Sequence, residues 1–158
     1  MGEPFLPGLK LSKAFYWEAV RPLLDERFPR LPHAAALIGR GSEVLGFDDP
    51  MSADHHYGPR VMLFLDEAEH AQHEAAIHAL LAEHLPFTFR GLPTNFSAPD
   101  PTDHGVQLLE LVERRPINHR VEIFTVRDFF TGYLGIDPAA GLALADWLTL
   151  PQQKLRTT

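Results

Sequence analysis

The spacing of apolar residues predicts helices in two long segments of the chain. Residues 11–28 place apolar side chains at helical intervals, with Ser12 as a candidate N-cap. Pro22 lies inside this pattern, so we expect either a kink or the junction of two helices there. Residues 68–85 predict the clearest helix of the sequence, with apolar residues that give it an apolar side.

Short apolar runs and alternating patterns predict the strands. Residues 34–38 form an apolar run closed by a glycine, which predicts a buried strand, and residues 61–65 predict a second strand. Residues 120–126 alternate and predict a third strand. Residues 91–105 contain three prolines and predict a loop, and loops of this length in compact domains are often functional. Residues 106–112 fit either a helix or a strand.

The order of these elements predicts a single α/β (α+β) domain with helices packed on a sheet. Residues 128–134 and 138–148 add two helices, and residues 152–158 resemble the start of another. The length of 158 residues suits one domain, and the 45% apolar and 22% charged residues are typical of a globular protein.

Composition and charge restrict the classes of partner that the protein is expected to bind. The net charge of −7 argues against broad nucleic-acid binding, because a protein that binds duplexes needs a basic face to displace counterions. The chain has no cysteine, which excludes disulfides and thiolate metal sites and is consistent with a reducing cytoplasm. No apolar run approaches the ~18 residues of a membrane span, so we expect a cytoplasmic protein with no membrane partner.

A Gly-Ser pair follows the first predicted strand. The backbone N–H groups around Gly41 can approach a phosphate closely, and a helix that begins at Ser42 would add its positive end and a hydroxyl donor. The alternative is an ordinary turn from strand to helix with a serine cap. On its own, the pair is therefore a candidate phosphate site.

Asp54 and His56 precede the second predicted strand. Residues two apart in an extended segment point the same way, so this carboxylate and imidazole could share a divalent cation. Oxygen ligands suit Mg²⁺, and an imidazole shifts the preference toward Mn²⁺ or Zn²⁺. Alternatively, His56 is a neutral hydrogen-bond partner or base, or the pair belongs to an exposed polar loop.

Two charged residues lie on the predicted strands themselves. Alternation places Glu122 on the opposite side from Val121 and Ile123, toward solvent or into a cleft. It becomes a site candidate only if its strand lies beside the strand that follows Asp54. Arg60 is a candidate to offset phosphate charge, and the alternative is a surface arginine at a strand edge.

This pattern resembles that of the DNA polymerase beta-like nucleotidyltransferase superfamily. Gly41 and Ser42 are followed after eleven residues by Asp54, with His56 two positions later and Glu122 on a later predicted strand. Three longer strings are similar to a narrower bacterial family, domain-of-unknown-function family 4037, which is regarded as nucleotidyltransferase-like. These strings are GSEVLGFDDPMSADHHYGPRVMLFL, FRGLPTNFSAPDPTDHGVQ and HRVEIFTVRDFFTGYLGIDP.

The resemblance covers most of the chain from about residue 15 onward. It implies a small mixed sheet with helices on one face and a site at the sheet edge. It also implies that the chain binds a nucleoside triphosphate and Mg²⁺ (or Mn²⁺), and transfers a nucleotidyl group to an unknown acceptor. Members of the narrower family tend to continue into a helical region, so we expect such a region beyond this single domain.

The resemblance also implies roles for individual residues. Asp54 is a metal ligand by position, Glu122 is the third acid that helps to activate the attacking hydroxyl, and Gly41 with Ser42 holds the triphosphate. His56 stands where the superfamily has an acid, so it assists or replaces that metal ligand. The alternative is a catalytically inactive module of the same fold that binds a nucleotide or another protein. His56 favours this alternative, whereas the two acids favour activity.

Two histidine motifs suggest other metal chemistry. Residues 54–56 spell the motif of a phosphoesterase family that binds Mn²⁺, but the further acids and histidines of that family are not apparent in this sequence. Residues 73–78 resemble a zinc-protease motif that is one residue too long. Positions five apart on a helix differ by ~140° in azimuth, so these two imidazoles cannot share an ion.

Overall fold

The N-terminal helical region consists of three successive segments. The computed structural model of the chain describes residues 6–39, 41, 44–45, 57–151, 154 and 156. Helices α1 (Gly8–Phe15) and α2 (Arg21–Arg27) are joined by a π-helical segment, Tyr16–Val20, with helical backbone angles at both junctions.

This geometry corrects one prediction about the first helix and explains another. Ser12 lies inside α1 and is buried, and Pro7 occupies the N-cap position, so the predicted serine cap is wrong. Pro22 is in the first turn of α2, where a missing N–H is tolerated. Two helices therefore meet at the proline, and a π-helical turn joins them.

A three-stranded mixed sheet forms the centre of the fold. Its order is β1 (Ala34–Ala36), β2 (Arg60–Leu65) and β5 (Arg120–Thr125), with β2 antiparallel to β1 and parallel to β5. Helices and a small mixed sheet confirm the predicted α/β class. The first strand is shorter than predicted and is not buried, because its alanines are half-buried or exposed at the edge of the sheet.

Helices cover both faces of this sheet. On one face, Val61, Leu63 and Ile123 pack with α1 and with α3 (Glu67–His84) in the main apolar core. Asp66 caps α3, since its Oδ1 accepts a hydrogen bond from the backbone N–H of Glu69 at 2.8 Å. The implied arrangement with helices on one face only is wrong, because α4 (Val126–Leu134) lies on the opposite face.

The second face carries a smaller aromatic cluster. Met62 and Phe64 of β2 pack against Phe129 of α4, and these three residues are buried. Partly buried apolar residues surround them: Ala36, Ile38, Phe124, Phe130 and Tyr133. The main core and this cluster bury the alternating side chains of β2 on opposite faces, which makes β2 the fully buried strand of the sheet.

The segment between α3 and β5 is mostly irregular but firmly hydrogen-bonded. It begins with a short hairpin of β3 (Thr88–Phe89) and β4 (Leu92–Pro93), so the predicted loop contains a strand. Residues 106–112 form neither a helix nor an extended strand, and they contribute isolated bridges at Val106 and Leu109.

The C-terminal part departs from the predicted single helix at residues 138–148. The chain instead forms a 3₁₀ turn, Pro138–Ala140, followed by α5 (Leu144–Thr149). Gly141 separates them with a φ of 78°, a left-handed conformation that interrupts a right-handed helix. Of the helices in the described part of the chain, none combines the length and apolar character needed to cross a membrane.

Candidate functional site

A cleft of about 440 Å³ lies between α4 and the face of the sheet that α4 covers. The two parallel strands β2 and β5 supply its floor, and α4 supplies a wall. The lining combines charged, aromatic and apolar side chains: Ile38, Gly39, Arg60, Met62, His104, Arg120, Glu122, Phe124, Asp128, Phe129, Gly132 and Tyr133.

The charged groups on the floor come from matched positions of the parallel strands. Arg60 of β2 is in register with Arg120 of β5, and Met62 is in register with Glu122. Paired residues of neighbouring strands lie side by side, ~4.8 Å apart across the sheet. Side chains two apart on a strand share a face, so both arginines and Glu122 face the same cleft.

The electrostatic environment of Arg60 is unusual for an arginine. The residue is only 5% exposed, although it carries a charged side chain. Its pKa is lowered to about 10, mainly by burial and secondly by the positive charge of Arg120, while Glu122 acts in the opposite direction. The guanidinium of Arg120 in turn lies over the ring of Phe96, 5.6 Å from its centroid.

One face of α4 forms the wall of the cleft. Asp128, Phe129, Gly132 and Tyr133 recur at helical intervals, which places them on the same side. Tyr133 donates a hydrogen bond from its hydroxyl to the carbonyl of Gly39 at 3.1 Å. This bond joins the end of α4 to the chain just beyond β1.

Gly39 fits this junction for two reasons. Its φ of 87° is a left-handed conformation that favours glycine. A Cβ atom at this position would also stand 3.2 Å from Cζ of Phe129. The aromatic wall and the entry to the Gly-Ser segment are therefore in close contact.

The predicted site residues fall into two groups. Glu122 and Arg60 both line the cleft, and the strand of Glu122 does lie beside the strand that follows Asp54. The surface interpretation of Arg60 is wrong, because the residue is buried on the central strand.

The other predicted site residues do not line the cleft or are not described. Gly41 is described and half-buried, but it is not among the lining residues. Ser42, Asp54 and His56 lie outside the described residues.

The sequence reasoning missed several lining residues. Arg120 had a signal, because it alternates with Glu122 on the same predicted strand. Asp128 and Gly132 had no such signal in the sequence, since a helical pattern does not reveal which side of the helix borders a cleft. His104 lies in the predicted loop of residues 91–105, and it lines the cleft with a φ of 50°.

The described acids and histidines do not form a metal centre. Within residues 6–39 and 57–151, no three His, Asp or Glu side chains are close enough together to hold an ion. Glu122 shares its strand face with Arg120 and stands diagonally from Arg60, and these two cations disfavour a metal ion there. Glu122 would need ligands from outside the described residues.

Two histidines of α3 and the histidine just before β5 make contacts within the protein. His73 contacts Glu69, with 3.3 Å between Nε2 and the carboxylate, whereas His78 packs against His119 with ring centroids 4.3 Å apart. The two imidazoles of the zinc-protease-like motif thus serve different contacts, as their spacing predicts.

His119 is buried just before β5. Its Nε2 lies 3.1 Å from the carbonyl of His78, and its Nδ1 accepts a hydrogen bond from the backbone N–H of Val121 at 3.1 Å. With both ring nitrogens engaged, we assign the neutral form with its proton on Nε2. His119 is therefore a satisfied structural histidine.

Comparisons with known proteins do not supply a family for this arrangement. No family model matches the chain, and no curated protein or solved structure matches it either.

Proposed function

We propose that this chain binds a nucleoside triphosphate in the cleft between α4 and the sheet. The observation that carries the proposal is the placement of Arg60 and Arg120 at paired positions of parallel strands, facing one cavity. Two adjacent guanidinium groups repel each other, and a phosphate chain between them removes that repulsion and accepts charge-assisted hydrogen bonds.

The chemistry of the cleft supports a phosphate-bearing ligand. Arg60 is buried beside a like charge, and both conditions lower its pKa, so an anion stabilises its charged form. The volume of about 440 Å³ lies within the ~300–1,000 Å³ that small-molecule sites occupy. Apolar and aromatic lining residues complete a surface suited to a ligand with a charged part and a flat apolar part.

Transfer of the nucleotidyl group is the second part of the proposal, and it rests on the resemblance. A divalent cation would neutralise charge on the reacting phosphate. Glu122 is the described residue that the resemblance names as an acid of the site, and Asp54 and His56 would have to supply the remaining ligands. The two arginines of the floor are by themselves better suited to hold an anion, which favours the alternative of nucleotide binding without turnover.

Replacing Arg120 with methionine is expected to weaken ATP binding by at least about tenfold. A charge-assisted hydrogen bond to a phosphate contributes roughly 1.5–3 kcal/mol, and Arg120 is half-buried, so the substitution keeps the core intact. Calorimetric titration of the full chain with ATP measures the change. Arg60→Met should lower the affinity in the same direction, with a thermal melt to confirm that the variant is folded.

Arg114→Met is the matched control for this experiment. Arg114 is exposed and does not line the cleft, so its loss removes the same charge from the chain without touching the site. ATP affinity should stay within about twofold of the unmodified chain. If Arg114→Met and Arg120→Met weaken binding equally, net charge rather than the cleft is responsible, and the proposal fails.

A turnover assay separates the transferase from the inactive module. Radiolabelled ATP, GTP, CTP or UTP is incubated with the chain, Mg²⁺ or Mn²⁺, and hydroxyl or phosphate acceptors. If the chain transfers nucleotides, Asp54→Ala and Glu122→Gln should each reduce the rate by at least ~10-fold, the usual effect of damaging a metal site. Tight ATP binding with no transfer to any acceptor would instead identify a nucleotide-binding module, and transfer that survives Asp54→Ala would contradict the assigned roles.

A further inference from the structure

Gly132 is a glycine that the fold itself does not require. It lies within α4, where glycine is a poorer helix former than alanine. A Cβ atom at this position would meet no other heavy atom within 4 Å, and its φ is not in the left-handed range. Gly135, by contrast, ends α4 with a φ of 75° and has the usual reason to be glycine.

Gly132 is exposed, and its missing side chain leaves a gap, open to solvent, in the wall of the cleft. Gly132 lines the cavity. On α4 it lies one turn after Asp128 and directly before Tyr133. Residues four apart on a helix have Cβ positions ~5–6 Å from each other, so the gap begins one turn beyond the Asp128 carboxylate. The open space at Gly132 is therefore continuous with the cavity that Arg60 and Arg120 face.

We infer that this gap receives the flat nitrogenous ring of the nucleotide base, an inference that rests on the proposed function. A planar ring can lie against a helix backbone only where no Cβ atom stands in the way. The rings of Phe129 and Tyr133 border the gap and supply apolar contact, and the exposed Asp128 carries its carboxylate to the same cleft. That carboxylate suits the N–H groups that the base carries on its edge.

This assignment divides the ligand between two parts of the cleft. The phosphates lie on the floor with Arg60 and Arg120, and the base lies against α4 at Gly132. Base–aromatic contacts typically change affinity by about five- to a hundredfold, so the ring should add measurably to the binding of the phosphates. Inorganic tripolyphosphate carries the charged part alone and isolates the contribution of the ring.

The test compares ATP with tripolyphosphate on the full chain and on Gly132→Met. Methionine is a better helix former than glycine, so thermal melting should show equal or higher stability. Its side chain fills the gap, and ATP affinity should fall by about tenfold while tripolyphosphate affinity stays the same. Gly132→Ala should show the same pattern to a smaller degree.

Thr131→Met is the control on the same helix. Thr131 is exposed and does not line the cleft, so this variant should retain both affinities. Unchanged ATP affinity in Gly132→Met, or an equal loss for both ligands, would overturn the base subsite. An unmodified chain that binds tripolyphosphate as tightly as ATP would overturn it as well, with the phosphate site intact. An unmodified chain that binds neither ligand would overturn the proposed function and this inference together.

Discussion

Replacing Phe129 with alanine should lower the free energy of unfolding by about 3–5 kcal/mol, the usual cost of removing a buried phenyl ring. Phe129 is 8% exposed and is the centre of the cluster that holds α4 on the sheet. Four aromatic rings surround it with centroids 5.4–5.6 Å away: Phe64, Phe124, Phe130 and Tyr133. A neighbouring side chain can fill the volume of the lost ring only if the helix moves.

Urea unfolding followed by circular dichroism measures this change. Val126→Ala is the control, because Val126 begins the same helix and is 50% exposed, so its truncation should cost no more than about 0.5 kcal/mol. If the two variants unfold at similar urea concentrations, the aromatic cluster does not anchor α4. Since α4 is the wall of the cleft, a destabilised but folded Phe129→Ala chain should also lose affinity for ATP.

The titration of His119 alone should lower the free energy of unfolding by about 3 kcal/mol when the pH is lowered from neutrality to 4. Burial lowers the pKa of His119 from 6.5 to about 4, so the folded state holds this ring neutral. Above pH 6.5 the ring is neutral in both states and the full stabilisation is present. Below pH 6.5 the unfolded chain takes up a proton that the folded chain rejects, and the stabilisation is lost progressively down to pH 4.

His119→Gln should flatten this part of the stability curve. A glutamine amide can accept from the N–H of Val121 and donate to the carbonyl of His78, but it does not titrate. Urea midpoints measured between pH 7 and pH 4 would show the difference. His84→Gln, at an exposed position of α3, should retain the fall, and a curve that stays equally steep in His119→Gln would show that other groups dominate.

The class of fold was predictable from the sequence because the strongest patterns are local. The alternation around Glu122 and the helical pattern of residues 68–85 depend only on neighbours in the chain, and both elements occur where predicted. The Asp66 cap was predictable for the same reason, since its partner lies three residues away.

The predictions that failed concern features that are set by contacts between distant segments. Burial of β1 could not be read from its apolar residues, because only the pairing order makes it an edge strand. Arg60 is buried because it lies on the central strand, and no local pattern distinguishes a central from an edge position. The wall residues of α4 depend on which face of the sheet the helix covers, which is again a matter of tertiary packing.

The junction of β5 and α4 determines how the cleft can adapt to different occupants. Thr125 ends the strand, and its hydroxyl accepts a hydrogen bond at 3.0 Å from the backbone N–H of Asp128, so the helix begins at the very next residue. A connection with no spare residue provides no hinge, and the angle between floor and wall stays fixed. Adjustment to larger or smaller occupants is therefore expected from the irregular part of the lining, such as His104 in the long loop.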